Sequence, residues 1–549
     1  MKPIPRDSGS FLAIREAGQL YVDKTAYLHR LVTSRDGKCY FLARPRRFGK
    51  SLMITTLKEI FNGRKDLFED LDIAKTDYDW KVHPVMHFDF GDPAVKTTLE
   101  DFKVSFREHV ERVLATVGCT YDPSLTPGMN FGGAIDELAR RDPKALPVVL
   151  IDEYDDPVAK VLDRIEFAEA VRDEIAQFYG QLKSRTDRLR FVMITGVSKF
   201  TKMSIFSTLS NLIDISFDDD YATMLGFTEA DLDAYFQEPM HAQAEKMGLS
   251  YEAYRAELRR MYNGYRFWLE EGENVYNPVS INLDLARAGR TFRCYWTSTG
   301  RASTLMNLIR RGDMLALDVD NLGAVTESAF DVSDLRNLKP IGMLYQTGYL
   351  TLTGYNPDSE TYRLGIPDEE VRRDLSTLFS SLIADRDTVW ASTLGANLLE
   401  ADFDRFFIGL KSLYAGLVYG STEGSVHEAS FARNLKVLLQ SQGFRTIQEH
   451  AQADGRSDLV ADHACGTYIF ELKVDQPAAI AMDQAQAKSY AAPFAAAGKP
   501  VWLVGLSFNR TTKCFIEGVV EKIGCVEVRS AGKPDCRLGR AARNPARDL

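Results

Sequence analysis

A chain of 549 residues is too long to fold around one hydrophobic core, and typical domain sizes predict about three or four domains. Hydrophobic residues make up 45% of it and charged residues 26%, as in globular proteins, and no apolar run reaches the roughly 18 residues that a membrane span needs. The net charge of −10 argues against a globally basic nucleic-acid surface but leaves a local basic groove open, and seven cysteines without a CxxC pair predict neither a zinc knuckle nor a disulfide framework.

The first part of the chain alternates apolar runs with amphipathic segments. Its opening residues, MKPIPRDSGSFLAIREAG, carry charges and a proline where a secretory signal needs an apolar stretch, so we expect a cytoplasmic protein. Farther on, four short runs predict buried strands with helices between them: CYFLA, PVMHFDF, PVVLIDE and RFVMITG. This alternation predicts an α/β domain with a mostly parallel sheet, which we place at residues 1–225.

The segment RPRRFGKS lies between the first of these strands and a helical pattern, as a phosphate-binding loop does. Such a loop directs backbone N–H groups and a helix N-terminus at phosphate oxygens, while a lysine bridges the phosphates and a hydroxyl holds Mg²⁺. Here Gly49 allows the backbone to approach closely, Lys50 would reach the phosphates and Ser51 would ligate the metal. The segment therefore predicts a site for ATP with Mg²⁺.

One residue departs from the usual loop, because Arg44 stands where glycine normally opens it. Glycine eases the turn at that point, whereas Arg44 followed by Pro45 can hold an extended turn, since proline fixes φ. Arg46 and Arg47 add positive potential beside the phosphates, and with Phe48 they complete the predicted nucleotide-binding loop. We therefore expect a working site.

Two strand ends carry polar side chains. Asp152 and Glu153 end the run PVVLIDE, at the carboxyl edge where open α/β sheets bind ligands. Asp152 suits an outer-shell hold on Mg²⁺, and Glu153 suits a general base that orients the attacking water. After RFVMITG, Ser198 and Lys199 either sense the γ-phosphate or only pack. A GKS triplet or an acidic pair is a weak signal alone, but the two motifs together and in this order predict nucleotide binding. The prediction of ATP hydrolysis depends on Glu153 alone.

The middle of the chain, residues 226–384, changes to longer helical patterns interrupted by stretches rich in tyrosine, asparagine and glycine. These stretches are MYNGYRFW, VYNPVS and YQTGYLTLTGY. They predict a helical lid followed by a small, winged-helix-like module that carries a hairpin. Whether YNGYRF covers the nucleotide, lines a seam between domains or only packs stays open.

A third domain is predicted at residues 385–525, before a basic tail without periodicity at residues 526–549. After a leading helix its patterns follow the order α-β-β-β-α-β. The turn HACG separates the second and third strand patterns and can pair them as a hairpin.

Charged residues on these two strands form a candidate catalytic site. Asp458 lies early in one strand, and Glu471 and Lys473 share a face of the next. If the two strands form a hairpin, Asp458 joins the same pocket. Two neighbouring carboxylates bind Mg²⁺ or Mn²⁺, and a lysine beside them can position or deprotonate water for in-line attack on a phosphodiester. The pattern predicts a metal-dependent nuclease site.

Neighbouring residues test and extend this site. Phe470 and Leu472 alternate with Glu471 and should face the core. Glu428, early in the preceding helix, is a further candidate metal ligand, and Gln484 on the following helix is a candidate contact. The simpler interpretation of the ExK pattern is an exposed charge pair. The apolar flanks YIF and V instead indicate a buried strand, in which charged side chains are costly and therefore indicate a functional role.

Several of these stretches resemble the bacterial AAA-ATPase-like family of ATP-binding proteins: LYVDKTAYLHRLV, RPRRFGKSL, LIDEYDDPV and ITGVSKFTKMSIFSTLSNLIDIS. YNGYRF, VYNPVSI, YWTSTG, YQTGYLTL and LGIPDEEV continue the resemblance, and GRSDLV with FELKV resembles the PD-(D/E)XK nuclease-superfamily domain that commonly accompanies that ATPase. The resemblance covers residues 3–515 and implies a P-loop ATPase module with a restriction-endonuclease-like domain. The phosphate-binding loop of that ATPase family likewise tends to begin with arginine, which fits Arg44. The proline of the nuclease signature is replaced here by Ser457.

Three functional hypotheses fit these patterns. The leading one is a nucleotide-regulated nuclease that acts on nucleic acid, with DNA as the expected form, and a role in genome defence or in a mobile element would fit it. The second is an ATP-dependent signalling switch whose C-terminal domain only binds nucleic acid or a protein partner. The third is a remodelling motor, which requires sustained hydrolysis and an oligomer. We expect no membrane partner, and the oligomeric state stays open.

Overall fold

The computed structural model describes residues 2–6, 9–35, 37–92, 98–197, 212–270, 272–287, 289, 291–296, 322–330, 340–384, 388–416, 428–452, 455–497 and 499–523. The chain forms two compact units, Met1–Arg372 and Arg373–Leu549.

A five-stranded sheet forms the centre of the first unit. Its strands are β1 Cys39–Ala43, β2 Val85–Asp89, β3 Val148–Asp152, β4 Phe191–Gly196 and β5 Leu212–Asp214. They follow the order β2-β3-β4-β1-β5, and every pairing is parallel. The four apolar runs singled out in the sequence are β1 to β4, which confirms the predicted α/β domain. Strand β5 has three residues, too few for a periodic signal.

Amphipathic helices accompany this sheet. They are α1 Phe11–Glu16, α2 Thr25–Thr33, α3 Lys50–Phe61, α4 Leu99–Thr116, α5 Pro127–Arg141, α6 Asp156–Ala159 and α7 Ile165–Lys183. Local sequence explains where they begin: Thr126 caps α5 by accepting a hydrogen bond from Met129 N, and proline follows at the first helical position. The apolar faces of α4, α5 and α7 meet in an aromatic core, where the rings of Phe131 and Phe178 stack 4.2 Å apart.

The middle region is helical, as the sequence predicts, and it carries two small antiparallel sheets. Its helices are α8 Glu229–Tyr235, α9 Gln237–Met247, α10 Tyr251–Tyr262, α11 Pro278–Arg287 and α12 Pro340–Gln346. Its strands are β6 Asn263–Tyr265, β7 Val275–Tyr276, β8 Val325–Thr326, β9 Thr351–Asn356 and β10 Thr361–Gly365. Strand β6 pairs with β7, and β8-β10-β9 form a sheet that contains the predicted hairpin.

The second unit is built on a mixed five-stranded sheet. The division between the units falls within α13 Glu369–Ala384. The elements that follow are α14 Thr388–Leu399, α15 Phe403–Gly416, α16 Glu428–Ser441, β11 Arg445–Gln452, β12 Gly455–His463, β13 Gly466–Val474, α17 Ala478–Ala487, β14 Val501–Phe508 and β15 Phe515–Ile523. The strands lie in the order β11-β12-β13-β14-β15, with only β13 and β14 parallel. The predicted α-β-β-β-α-β order is confirmed, and β15 is an additional edge strand.

Strand β13 is buried along its whole length because helices cover both faces of the sheet. One face carries Phe470 and Leu472 into a core shared with α14, α15 and α16, as alternation predicts. The other face carries Ile469 into a smaller core against α17. Side chains that alternate with Phe470 and Leu472 therefore lie on the α17 side of the sheet.

Three further predictions concern membrane spans, cysteines and domain limits. No helix among the described residues is both long and apolar enough to cross a bilayer. The five cysteines in the described ranges are free thiols. The predicted domain limits after residues 225, 384 and 525 stay a prediction, and the tail at residues 526–549 lies outside the described residues.

Candidate nucleotide and nuclease sites

The segment RPRRFGKS forms a loop between β1 and the N-terminus of α3. Gly49 caps the helix with a left-handed φ of 88°, and Lys50 is its first residue. The Lys50 ammonium is buried and donates hydrogen bonds of 2.9 Å to the carbonyl oxygens of Arg44 and Pro45. Burial lowers the pKa of Lys50, and the carboxylates of Asp152, Glu153 and Asp155 oppose this shift. The lysine is thus held inside the loop, where phosphate oxygens would replace the carbonyls as its partners.

Arg44 lies behind the loop and does not line the phosphate cavity. Its guanidinium donates to the carbonyl oxygens of Ala43 at 3.0 Å and Ser216 at 2.6 Å. The ring of Phe267 lies 4.1 Å from the guanidinium carbon. Burial lowers the pKa of Arg44 to about 10. The residue in the place of the usual glycine therefore supports the loop from the protein interior.

Three loop residues after Pro45 line the cavity: Arg46, Arg47 and Phe48. Arg46 Nη2 lies 3.6 Å from Asp156 Oδ1. Arg47 has a left-handed φ of 68° and donates to the carbonyl oxygen of Tyr295. The ring of Phe48 is buried, which leaves its backbone as the part that can contact a nucleotide. Two arginines thus lie beside the helix N-terminus, as the sequence predicts.

The acidic end of β3 lies near the loop. Asp152 Oδ1 accepts hydrogen bonds from Thr195 Oγ1 at 2.6 Å and from the amide of Glu153 at 3.0 Å. Glu153 has a left-handed φ of 50°, a conformation that costs energy in a residue with a side chain. Burial raises the pKa of the Glu153 carboxyl to about 7, helped by the charges of Asp156 and Asp152 and opposed by Lys50. A carboxyl poised near neutral pH suits a general base.

A cavity of about 770 Å³ opens above the loop, within the size range of small-molecule sites. Lys50, Ser51 and Glu153 line it. A side chain placed on Gly49 would meet nothing within 4 Å, so the space over the helix N-terminus is open for an anion. The donors present therefore fit a nucleotide phosphate. Ser198 and Lys199, which the sequence left open between sensing the γ-phosphate and packing, lie outside the described residues.

Two of the tyrosine-rich motifs of the middle region, YNGYRF and YQTGYL, pack behind this loop, a role that the sequence left open. Phe48 contacts the rings of Tyr265 at 4.7 Å and Phe267 at 5.2 Å, both from YNGYRF. The Tyr265 hydroxyl donates a 2.8 Å hydrogen bond to the carbonyl oxygen of Gly348, from YQTGYL. A Cβ atom on Gly348 would lie 2.7 Å from Pro45 Cβ. These motifs therefore support the back of the phosphate-binding loop.

The second candidate site lies on the hairpin of β12 and β13. Leu459 pairs with Phe470 across the hairpin, which brings Asp458 beside the end of β13. The Leu472 amide donates a 2.8 Å hydrogen bond to Asp458 Oδ2. Lys473 Nζ lies 3.3 Å from Glu471 Oε1 on the same strand face. The structure thus brings Asp458, Glu471 and Lys473 together.

The Glu471 carboxylate lies in an electrostatically unfavourable environment. It is 1% exposed, and its Oε2 has no hydrogen-bond partner within the described part of the chain. Burial raises the pKa of the Glu471 carboxyl to about 7, with a further rise from Asp458 and an opposing effect of Lys473. A buried carboxylate oxygen without a partner is costly, and a bound cation removes that cost.

The donor set suits a hard divalent cation. Within the described ranges no three His, Cys, Asp or Glu side chains are grouped closely enough to hold a metal by themselves. Asp458 and Glu471 offer a pair of carboxylates, and Mg²⁺ commonly uses one or two carboxylates with substrate phosphate and water as its other ligands. The residues present therefore fit Mg²⁺ or Mn²⁺ together with a phosphodiester.

Two helices complete this site. Gln484 of α17 donates from Nε2 to Glu471 Oε1. Glu428, the first residue of α16, is partly exposed, and its Oε1 lies 3.7 Å from Lys473 Nζ. Lys473 is therefore held between two carboxylates, and the structure places Glu428 beside the lysine. Ser457, in the signature's proline position, is fully buried.

The fold and the two sites define a P-loop nucleotide-binding module joined in one chain to a nuclease-type domain. Residues 7–206 match the family described as predicted AAA-ATPase, and residues 426–518 match the PD-(D/E)XK nuclease superfamily. Over 543 residues the chain is 33% identical to the "Uncharacterized protein in vnfD 5'region" of Azotobacter chroococcum mcd 1, a match that covers 95% of this chain and 99% of that protein. The chain belongs to the predicted AAA-ATPase family and carries a C-terminal PD-(D/E)XK nuclease-superfamily domain.

Proposed function

We propose that this protein is an ATP-regulated nuclease that cleaves nucleic-acid phosphodiesters with a divalent cation. The observation that carries the proposal is the buried Glu471 carboxylate, whose Oε2 lacks a hydrogen-bond partner in the described structure while Asp458 and Lys473 lie beside it. A fold gains nothing from burying this group unless a ligand compensates it.

The nucleotide half of the function rests on the phosphate-binding loop. Lys50 exchanges the loop carbonyls for β- and γ-phosphate oxygens, and the two loop arginines add positive charge. Ser51 and Asp152 are the proposed holders of the nucleotide's Mg²⁺, Asp152 from the outer shell. Glu153, whose pKa burial raises to about 7, orients and deprotonates the attacking water. Hydrolysis of ATP would follow.

The nuclease half rests on the three residues of the hairpin. Asp458 and Glu471 are the proposed ligands of Mg²⁺ or Mn²⁺, with Glu428 as a further acidic group nearby. The metal, when bound, polarises the scissile phosphate and makes water a better nucleophile at neutral pH. Lys473, in ion-pair contact with Glu471 and Glu428, positions that water for in-line attack, and the proton of the water passes to solvent. The leaving oxygen then takes up a proton from solvent.

The control of one site by the other is proposed from their presence in one chain. ATP binding or hydrolysis would set the activity of the nuclease site, which keeps a potentially harmful activity silent until a trigger arrives. We expect DNA as the substrate, a cytoplasmic location and a role in genome defence or in a mobile element.

A cleavage assay tests whether the second site cuts. Purified protein is incubated with linear DNA, supercoiled DNA and RNA, with Mg²⁺ or Mn²⁺, beside Lys473→Ala. Lys411→Ala, at an exposed lysine of the same unit, is the matched control. The proposal expects wild type and Lys411→Ala to cut and Lys473→Ala to lose activity. No cutting of any substrate by a protein that still binds ATP would favour the switch, in which the second unit only binds nucleic acid or a protein.

A further inference from the structure

Helix α11, from the motif VYNPVSIN, lines part of the nucleotide cavity. Asn277 caps its start by accepting hydrogen bonds from the amides of Val279 at 3.0 Å and Ser280 at 3.2 Å. Val279, Asn282 and Leu283 line the cavity, and their spacing of three and four residues places them on one helical face. The single polar side chain of that face is Asn282.

The amide of Asn282 is buried but has no partner. The residue is 9% exposed, its Oδ1 lacks a hydrogen bond, and its side chain forms none with any residue that the structure describes. Asn130, which is 6% exposed, shows the usual outcome, because its Nδ2 donates to the carbonyl oxygens of Asp122 at 2.9 Å and Thr126 at 3.1 Å. A buried amide without hydrogen bonds costs free energy, and a ligand in the cavity that bonds to it can offset that cost.

The rest of the cavity divides into a charged part and an apolar part. The charged part is the phosphate-binding loop with Lys50, and Arg6, Lys24 and Lys160 add further cationic side chains to the lining. The apolar part consists of side chains from the N-terminal segment and from the middle region: Tyr21, Val22, Met224, Leu225, Phe227 and Pro278. A nucleoside triphosphate has the same division, because its phosphates are anionic while its base is flat and apolar with a polar edge.

We infer that Asn282 reads the edge of the adenine base and thereby makes the site select ATP over GTP. An asparagine amide pairs with adenine through two hydrogen bonds, accepting one from the exocyclic amino group and donating one to a ring nitrogen. Guanine would present two neighbouring donors, which a carboxylate matches better. Among the described residues that line the cavity, the only carboxylates are Glu153 and Asp156, beside the loop and its Arg46. This inference rests on the proposed binding of a triphosphate at Lys50.

Binding of ATP, GTP and inorganic tripolyphosphate tests the inference, measured by calorimetry on the full chain. Wild type is expected to prefer ATP to GTP. Asn282→Leu should lose about tenfold or more in ATP affinity, as expected for a lost two-bond base contact, and keep its tripolyphosphate affinity. Asn282→Asp should reverse the preference, since two acceptor oxygens suit guanine and repel the adenine ring nitrogen.

A thermal unfolding scan separates base reading from a structural role. Replacing a partnerless amide by a leucine of similar size should not lower the unfolding temperature of the nucleotide-free protein. A lowered temperature with unchanged ATP affinity would overturn the inference.

Lys50→Ala distinguishes failure of this inference from failure of the proposed function. If Lys50→Ala loses all three ligands while both Asn282 variants keep the wild-type ratio of ATP to GTP affinity, the nucleotide site stands and the base-reading role is wrong. If wild type binds neither ATP nor tripolyphosphate, the proposed nucleotide site fails and the inference fails with it.

Discussion

Asp458 Oδ2 accepts a 2.8 Å hydrogen bond from the backbone amide of Leu472, across the hairpin of β12 and β13. This bond fixes one carboxylate next to a second, Glu471, that is buried with a partnerless oxygen in the described structure. The hairpin thus concentrates negative charge in an apolar sheet, an arrangement that a divalent cation would stabilise.

Glu471→Gln should therefore remove a response to metal. In the presence of a chelator the variant should be about as stable as wild type. A neutral amide removes the repulsion between Glu471 and Asp458, while Lys473 keeps Glu428 and the carbonyl oxygen of Leu472 as partners. Millimolar Mg²⁺ should raise the unfolding temperature of wild type and leave that of the variant unchanged. Differential scanning fluorimetry with and without Mg²⁺ checks both points, and equal stabilisation of the two proteins would contradict a metal site at Glu471.

Asp284 predicts a pH-dependent stability. Its Oδ1 accepts hydrogen bonds from the hydroxyls of Tyr262 at 3.2 Å and Tyr295 at 3.3 Å, while Oδ2 has no partner in the described residues. Burial raises its pKa from 3.8 to about 6, with opposing effects from the two hydroxyls and Arg287. The folded state therefore holds this proton more tightly than the unfolded state, so the contribution to stability is full below pH 3.8 and is lost as pH rises through about 6.

Asp284→Asn should be more stable than wild type at pH 8, by about 1 to 3 kcal/mol, and the difference should disappear near pH 4. Urea unfolding of both nucleotide-free proteins between these pH values measures it. A variant that is less stable than wild type at pH 8 would show that the ionised Asp284 is well compensated.

Gly348→Ala should damage the phosphate-binding loop from behind. A new Cβ atom would lie 2.7 Å from Pro45 Cβ and 2.8 Å from the Trp296 ring, at a residue whose φ is 86°. We expect a loss of about 2 to 4 kcal/mol in stability and weaker ATP binding. The matched control is Gly248→Ala, with φ of 68° and no atom within 4 Å, which should cost about 1 kcal/mol and leave ATP binding unchanged. Equal effects of the two substitutions on ATP binding would refute the supporting role.

Arg44→Gly creates the glycine that such loops usually have, yet it should harm the protein. The guanidinium donates to the carbonyl oxygens of Ala43 and Ser216 in the interior, and its loss removes both hydrogen bonds. We expect a destabilisation of about 2 to 4 kcal/mol and no gain in ATP affinity. The stability of Arg44→Lys should lie between those of wild type and Arg44→Gly, because an ammonium lacks the forked donors of the guanidinium. Urea unfolding and calorimetry measure both. A stable Arg44→Gly protein with tighter ATP binding would mean that Arg44 only obstructs the loop.

Both candidate sites could be predicted from sequence because each is built locally. A strand, a loop and a helix that follow one another place Lys50, and one short turn brings Asp458 beside Glu471. Residue types and alternation are sufficient for such arrangements.

The residues that sequence reasoning missed depend on contacts between distant parts of the chain. Gly348 touches Pro45, and Asn282 shares a cavity with Lys50, although these pairs lie far apart in sequence. The motif VYNPVSI indicated that this segment matters, but only the packing of α11 shows which side chain has an open hydrogen bond. Strand β15 escaped prediction because it is an edge strand with an exposed, partly polar sequence.

The central claim is that ATP at the first site controls cutting at the second. The most direct measurement is the initial rate of DNA cleavage in Mg²⁺ as ATP is titrated, for wild type, Lys50→Ala and the exposed-lysine control Lys65→Ala. The account predicts that the rate of wild type and of Lys65→Ala changes severalfold with ATP, whereas Lys50→Ala cuts at one constant rate. A wild-type rate that is independent of ATP, in a protein that binds ATP, would contradict it.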